Sequence, residues 1–129
     1  MYTIKVESDF SSAHNLRGYK GKCEDLHGHN WKVEAALSSA KLDKLGMVAD
    51  FRFVKDELKA ILEKLDHKYL NEIPYFSAAG GSASGGKKVN PTSENIAKYI
   101  YDLLKRKVSG LKSVTVWESE NSSATYDAR

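Results

Sequence analysis

Three histidines and one cysteine carry the chemistry of this chain: His14, His27, His29 and Cys23. In Leu26-His27-Gly28-His29-Asn30-Trp31 the two imidazoles stand two residues apart, and on a strand such residues point to the same side. The same parity continues through Trp31, Val33, Ala35 and Leu37, so the pair closes an apolar, core-facing row, while Asn30, Lys32 and Glu34 face the other way. An N-terminal run repeats the pattern. Tyr2, Ile4, Val6, Ser8 and Phe10 share a face, and two steps beyond Ser12 that face reaches His14. Neutral imidazole is a good ligand for Zn²⁺, and three histidines with a position left for water or substrate is the catalytic arrangement. Three nitrogens also suit Fe²⁺ or Ni²⁺. An isolated His-x-His is a weak signal, and the third histidine on the matching face is what gives it weight.

Cys23 lies in the polar loop Gly18-Tyr19-Lys20-Gly21-Lys22-Cys23-Glu24-Asp25, not in an apolar run, and precedes His27 by four residues. A free thiol titrates near ~8.5, and a neighbouring cation lowers that value, so a thiolate base at neutral pH is within reach. As the sole cysteine it forms no intrachain disulfide, and the alternative role is that of a small buried hydrophobe. No apolar leader opens the chain, which reads as cytoplasmic.

The 129 residues, 41% of them hydrophobic, suffice for one core and one domain spanning residues 1–129. A formal net charge of +3 with acids and bases interleaved argues against a nucleic-acid partner and suits an anionic small molecule. No apolar run approaches a membrane span, and no internal repeat is present.

The elements that must position the histidines read in the order strand, strand, helix, helix, strand, strand. Asp50 is a natural N-cap, and Phe51, Val54, Leu58, Ile61, Leu62 and Leu65 then recur at three and four, predicting a helix that ends near Asp66. Pro91-Thr92-Ser93-Glu94 opens a second helix capped by Thr92 or Ser93, with Ile96, Ile100, Leu103 and Leu104 as its stripe and Gly110 as its stop. Lys112 to Ser119 alternates as a strand, and Ser123 to Ala128 follows an Asn-Ser-Ser turn as another. The expected class is α+β, a four-stranded antiparallel sheet with two helices on one face. Its exposed edges predict oligomerisation through the sheet.

Two acidic features stand apart. Glu118 shares its side of the strand with Val114 and Val116, at the end of an apolar row. It is either solvated or lysine-paired at the strand end, or a bidentate anchor for a flat N–H/NH₂ edge. Asp66-His67 follows the first helix; unaided, the pair reads as a helix C-terminus with a cation near the dipole, although a carboxylate orienting an imidazole is a known acid/base device.

Cys23-x-x-x-His27-Gly28-His29, Leu65-Asp66-His67-Lys68-Tyr69-Leu70-Asn71, Pro91-Thr92-Ser93-Glu94-Asn95 and Val116-Trp117-Glu118, in that order over nearly the whole chain, resemble the 6-pyruvoyltetrahydropterin synthase family. Within it they are most similar to the 6-carboxytetrahydropterin synthase branch of queuosine biosynthesis. The resemblance implies the tunnelling fold, in which subunit sheets join into a barrel and trimers pair into a homohexamer. It implies Zn²⁺ on His14, His27 and His29, an acid/base group of Cys23, Asp66 and His67 with the Asp-His pair lent by a neighbouring subunit, and a pterin held by Glu118 with Thr92 and Ser93 beside it. The implied substrate is 7,8-dihydroneopterin triphosphate, and the carboxy branch also cleaves the side chain to release acetaldehyde. Glu24, three residues before His27, resembles the placement in relatives that divert this substrate toward folate precursors, and is either a second base or a solvated loop acid. Residues 77–86 contain only Gly, Ser and Ala, a linker composition that departs from the family and is expected to be an engineered loop. A scaffold in which catalysis is incidental is the corresponding alternative.

Overall fold

The described residues fold into a four-stranded antiparallel sheet carrying two helices on one side. The computed structural model describes residues 1–20, 24–77 and 89–128. In chain order the elements are β1 (Tyr2–His14), β2 (His27–Ser39), α1 (Phe51–Leu62), α2 (Ser93–Leu104), β3 (Leu111–Ser119) and β4 (Ser122–Asp127), with 3-10 turns at Leu70–Glu72 and Pro74–Phe76. Strand order in space equals strand order in sequence, which leaves β1 and β4 as edges.

β1 and β2 pair without a slip from Tyr2 opposite Ser39 to His14 opposite His27. Because a shift of one residue would turn every apolar side chain outward, the two alternating rows enforce this register. Val6, Phe10, Trp31, Val33, Ala35, Leu37, Val114 and Val116 are all buried, and Phe10 stacks on its cross-strand partner Trp31 with ring centroids 5.8 Å apart. The exposed parity carries Lys5, Glu7, Asp9, Asn30 and Lys32, as the alternation requires.

The helices close that core. Asp50 caps α1 by accepting the Arg52 N–H at 2.8 Å, and Val54, Leu58, Ile61 and Leu62 form its buried face. Phe51 is a correction, standing 54% exposed at the first turn, so the stripe begins at Val54. Burying one such leucine stabilises by roughly 1.5–3 kcal/mol, and Leu58→Ala would cost roughly 2–5 kcal/mol with the cavity included. Thr92 is the cap of α2, its Oγ1 accepting the Asn95 N–H at 3.1 Å.

Both helices stop earlier than their periodicity. α1 ends at Leu62, where the Lys64 and Leu65 N–H groups tighten onto carbonyls three residues back. Leu65 remains buried beyond the helix, so the apolar period outlasts the helix itself. α2 ends at Leu104, and Val108 is buried in the connection that follows. Gly110, at φ +79°, turns this connection into β3 where its own carbonyl accepts the Ser38 N–H. A Cβ there would lie 3.2 Å from the Ser38 carbonyl, a position suited to glycine. Among the described residues no helix is long and apolar enough to cross a membrane.

Candidate metal centre

Strand parity brings His14, His27 and His29 to one end of the core face, and the β1–β2 register makes them neighbours. Their ring centroids lie 4.6, 4.7 and 5.3 Å apart, each pair edge-on. Trp31 forms the floor, with its ring 4.8 Å from His14 and 5.3 Å from His29, and its indole N–H donates to the Ser12 carbonyl.

The orientations of two of the rings are fixed by what their other nitrogen does. His14 Nδ1 donates to the Pro91 carbonyl at 2.7 Å, and His27 Nδ1 donates to the Asp25 carbonyl at 2.8 Å; a carbonyl can only accept, so both Nδ1 atoms carry the proton. The Nε2 lone pairs are left free. Nε2 of His14 and of His29 are buried without a hydrogen-bond partner among the described residues. Buried polar atoms are nearly always satisfied, so two orphaned imidazole nitrogens at one spot fit a cation there. Burial also pushes the His14 pKa below the usual imidazole range, against a weaker upward pull from its bond to Pro91. The neutral ring that a metal requires is therefore favoured.

β3 adds Glu118. Lys32 opposes Trp117, and a register shift between Trp117 and Ser119 leaves Glu118 without a partner on β4. Such a bulge re-aims a side chain. One carboxylate oxygen lies 3.3 Å from His29 Nε2, at ion-pair distance but not in hydrogen-bond alignment, and the other accepts from Ser93 Oγ at 3.4 Å. Potential ligand atoms of His14, His27, His29 and Glu118 all lie within 4.8 Å of one another. Of the expectations for Glu118, the lysine pair gives way to this contact with His29, and the side chain remains 35% exposed.

Asp66 and His67 stand outside that group. The Asp66 Oδ1 accepts the Ser11 N–H at 2.8 Å, the Ser11 carbonyl accepts the His67 N–H, and Ala13 bonds Lys68, so residues 66–68 clip onto the outer edge of β1. His67 takes φ +55°, which turns its ring back so that Nδ1 sits 3.0 Å from Asp66 Oδ2. The pair is thus a joined carboxylate and imidazole, not a cation at a helix end, since α1 has already stopped at Leu62. The His67 side chain is 82% exposed and faces out of the subunit. Donation from Ser11 is the main reason the Asp66 pKa falls below the usual carboxylate range.

Glu24 is not a solvated acid. Its Oε1 accepts the Leu16 N–H at 3.1 Å and lies 3.9 Å from His27 Nε2, while its backbone exchanges bonds with Leu16 and Asn15. Cys23 and residues 78–86 of the Gly/Ser/Ala tract lie outside the described residues. The sequence reading missed the polar supports: Asn15 N–H donates to Asn71 Oδ1, Asn71 Nδ2 donates to the Asn15 carbonyl, and Tyr69 Oη donates to Asn15 Oδ1. These groups follow no period. Their only trace is that Tyr69 and Asn71 belong to the same motif as Asp66-His67.

The family model of 6-pyruvoyl tetrahydropterin synthase matches residues 3–129. The chain belongs to that family. It is 31% identical to the 6-carboxy-5,6,7,8-tetrahydropterin synthase of Haemophilus influenzae, over 98% of this chain and 99% of the relative. Identity to the Synechocystis protein of the same description is 37%, over 98% and 93% respectively. Among solved structures, Caenorhabditis elegans 6-pyruvoyl tetrahydropterin synthase superposes with a TM-score of 0.80 at 28% identity, covering 99% of this chain and 96% of that one. The chain is accordingly an enzyme of the pterin synthase family, similar to 6-carboxytetrahydropterin synthases. Its His14, His27, His29 and Glu118 form a group able to hold a metal ion.

Proposed function

We propose that this pterin synthase uses Zn²⁺ to convert 7,8-dihydroneopterin triphosphate and water to 6-carboxy-5,6,7,8-tetrahydropterin, releasing triphosphate and acetaldehyde. The observation that carries the reading is the meeting of three imidazoles, two of whose Nε2 atoms are buried without a hydrogen-bond partner among the described residues. The Haemophilus influenzae and Synechocystis relatives are named for this product, which supports the carboxy branch. His14, His27 and His29 would hold the ion, which when bound supplies Lewis acidity toward the side-chain oxygens of the substrate and so acidifies the neighbouring C–H bonds.

The chain's own groups divide the remaining work. Glu118 accepts the N–H/NH₂ edge of the pterin, with Ser93 donating to one of its oxygens to keep the carboxylate oriented and Thr92 beside it. Cys23 serves as the thiolate that removes a proton, and His67, oriented by Asp66, passes protons on the other side. Glu24 already accepts the Leu16 N–H and acts as a loop clip in this reading, not as a second base.

The exposed position of His67 supports an assembled site in which Asp66-His67 of one subunit serves the histidines of its neighbour. Between Thr3 and Asp9 no described residue pairs with the outer edge of β1, and β4 is the other edge. Open edges of this kind favour strand pairing between subunits, as in a homohexamer built from two trimers. The reading places the enzyme in the cytoplasm, in formation of a queuosine precursor.

Mass spectrometry of the product after incubation with 7,8-dihydroneopterin triphosphate tests the proposal. The carboxy pterin is the expected product. A pyruvoyl or hydroxymethyl pterin would reassign the branch, and zinc binding without turnover would favour the scaffold alternative.

A further inference from the structure

The direction of the His14 lone pair depends on a carbonyl 77 residues away, that of Pro91. Proline has no N–H by which it can itself be tied, so its carbonyl is held by its neighbours. Asn90 supplies one tie on each side of Arg17: its Oδ1 accepts the Arg17 N–H at 3.0 Å, and its Nδ2 donates to the Arg17 carbonyl at 2.9 Å. The guanidinium of Arg17 supplies two more, Nη2 donating to the Val89 carbonyl at 2.8 Å and to the Phe76 carbonyl at 2.7 Å. Phe76 precedes the Gly/Ser/Ala-rich stretch in sequence and Val89 follows it after Lys87 and Lys88, so a single side chain bonds described residues on both sides of it. A guanidinium suits this task because it stays charged at every working pH and donates along fixed directions. Arg17 follows His14 by only three residues, which links the end of β1 to the segment that carries Pro91.

We propose that Arg17 is a positioning residue for His14 of the histidine trio. Through Val89 and Asn90 it holds the Pro91 carbonyl against His14 Nδ1, and so fixes the ring with Nδ1 protonated and Nε2 free. The consequence for metal affinity rests on the metal-centre reading above, whereas the hold on the His14 proton stands without any ion.

The test compares the full-length chain with Arg17→Met, Arg17→Lys and Asn90→Ala. In the metal-free protein, nitrogen-15 NMR measures exchange of the His14 Nδ1 proton; Co²⁺ titration against a chromophoric chelator, with the cobalt absorption bands, measures affinity and geometry. Loss of a partner outside the ligand shell costs roughly 10–100-fold in metal affinity. Arg17→Met and Asn90→Ala should weaken Co²⁺ binding by about tenfold and speed proton exchange by a similar factor, at the low end of that range. Arg17→Lys, charged but without the fork, should fall between. A lower melting temperature with proton exchange and Co²⁺ affinity unchanged would make Arg17 a loop fastener only and overturn the proposal. Should Arg17→Met not fold, the same unchanged result in Arg17→Lys and Asn90→Ala overturns it equally. Faster exchange in the variants of a chain that binds no Co²⁺ would uphold the hold on His14 while sinking the metal reading.

Discussion

Replacing His14 with phenylalanine separates the cost of the unpaired nitrogens from the gain a metal brings. His14 is 2% exposed, and its Nε2 has no hydrogen-bond partner among the described residues. An unsatisfied buried polar atom costs about 1–3 kcal/mol. Phenylalanine removes that cost but strands the Pro91 carbonyl that His14 Nδ1 now satisfies, a penalty of about the same 1–3 kcal/mol. The ring keeps its edge contact with Trp31, so the two terms cancel to within about 1 kcal/mol, or about 4 °C in a chain of this length. Zinc breaks the symmetry. At free Zn²⁺ about 100 times the wild-type Kd, binding adds about 2.7 kcal/mol, or about 11 °C, to the wild type. His14→Phe, with two imidazoles left, should gain little at that concentration. The His14 pKa is lowered chiefly by burial, so as pH falls below the usual imidazole value the unfolded chain takes up a proton that the folded chain refuses, and stability falls. Thermal melts in chelator-buffered zinc should therefore be run near pH 7.5, where the ring is neutral in both states. An equal zinc shift in both proteins would remove His14 from the ligand set. A metal-free loss above about 3 kcal/mol would refute the bookkeeping of the orphaned nitrogens.

Cys23→Ala should abolish turnover while one zinc per chain is retained, by activity assay and elemental analysis; unchanged turnover would take the thiol out of the mechanism. Glu118→Gln gives up a charge-assisted contact worth about 1.5–3 kcal/mol, so KM should rise roughly 10–100-fold with kcat less affected. Loss of zinc from that variant would instead make Glu118 a ligand. Asp66 holds a depressed pKa, mainly through Ser11, so its contribution to stability is full above the ordinary carboxylate value of ~3.9 and is lost as pH falls through its lower folded value. Melting temperatures between pH 3 and 6 should fall more steeply toward acid for the wild type than for Asp66→Asn, and parallel curves would count against the Ser11 contact.

Most of the architecture was legible because its signals are local. Period two on β1 and β2, the stripes of α1 and α2, and the caps at Asp50 and Thr92 each need only nearby residues to be read. The misreadings share a cause. Leu65 continued the helical period although the helix had stopped at Leu62, because burial, not hydrogen bonding, keeps that residue inward. Phe51 fitted the same stripe but lies exposed at the first position of the helix. Asp66-His67 read as a helix terminus because the bond from Ser11 comes from 55 residues away. Arg17 and Asn90 carried no pattern, since hydrogen bonds to backbone carbonyls leave no repeat.

By itself the sequence determined which residue types face the core and that three imidazoles share that face, since parity follows from the geometry of an extended chain. Tertiary structure alone decided that His14 lies opposite His27, that the Pro91 carbonyl sets the His14 tautomer, and that Glu118 reaches His29 past a bulge. Register and tautomer depend on contacts between distant segments. Such contacts form only when burial of the whole apolar face selects one alignment from many that satisfy the local pattern.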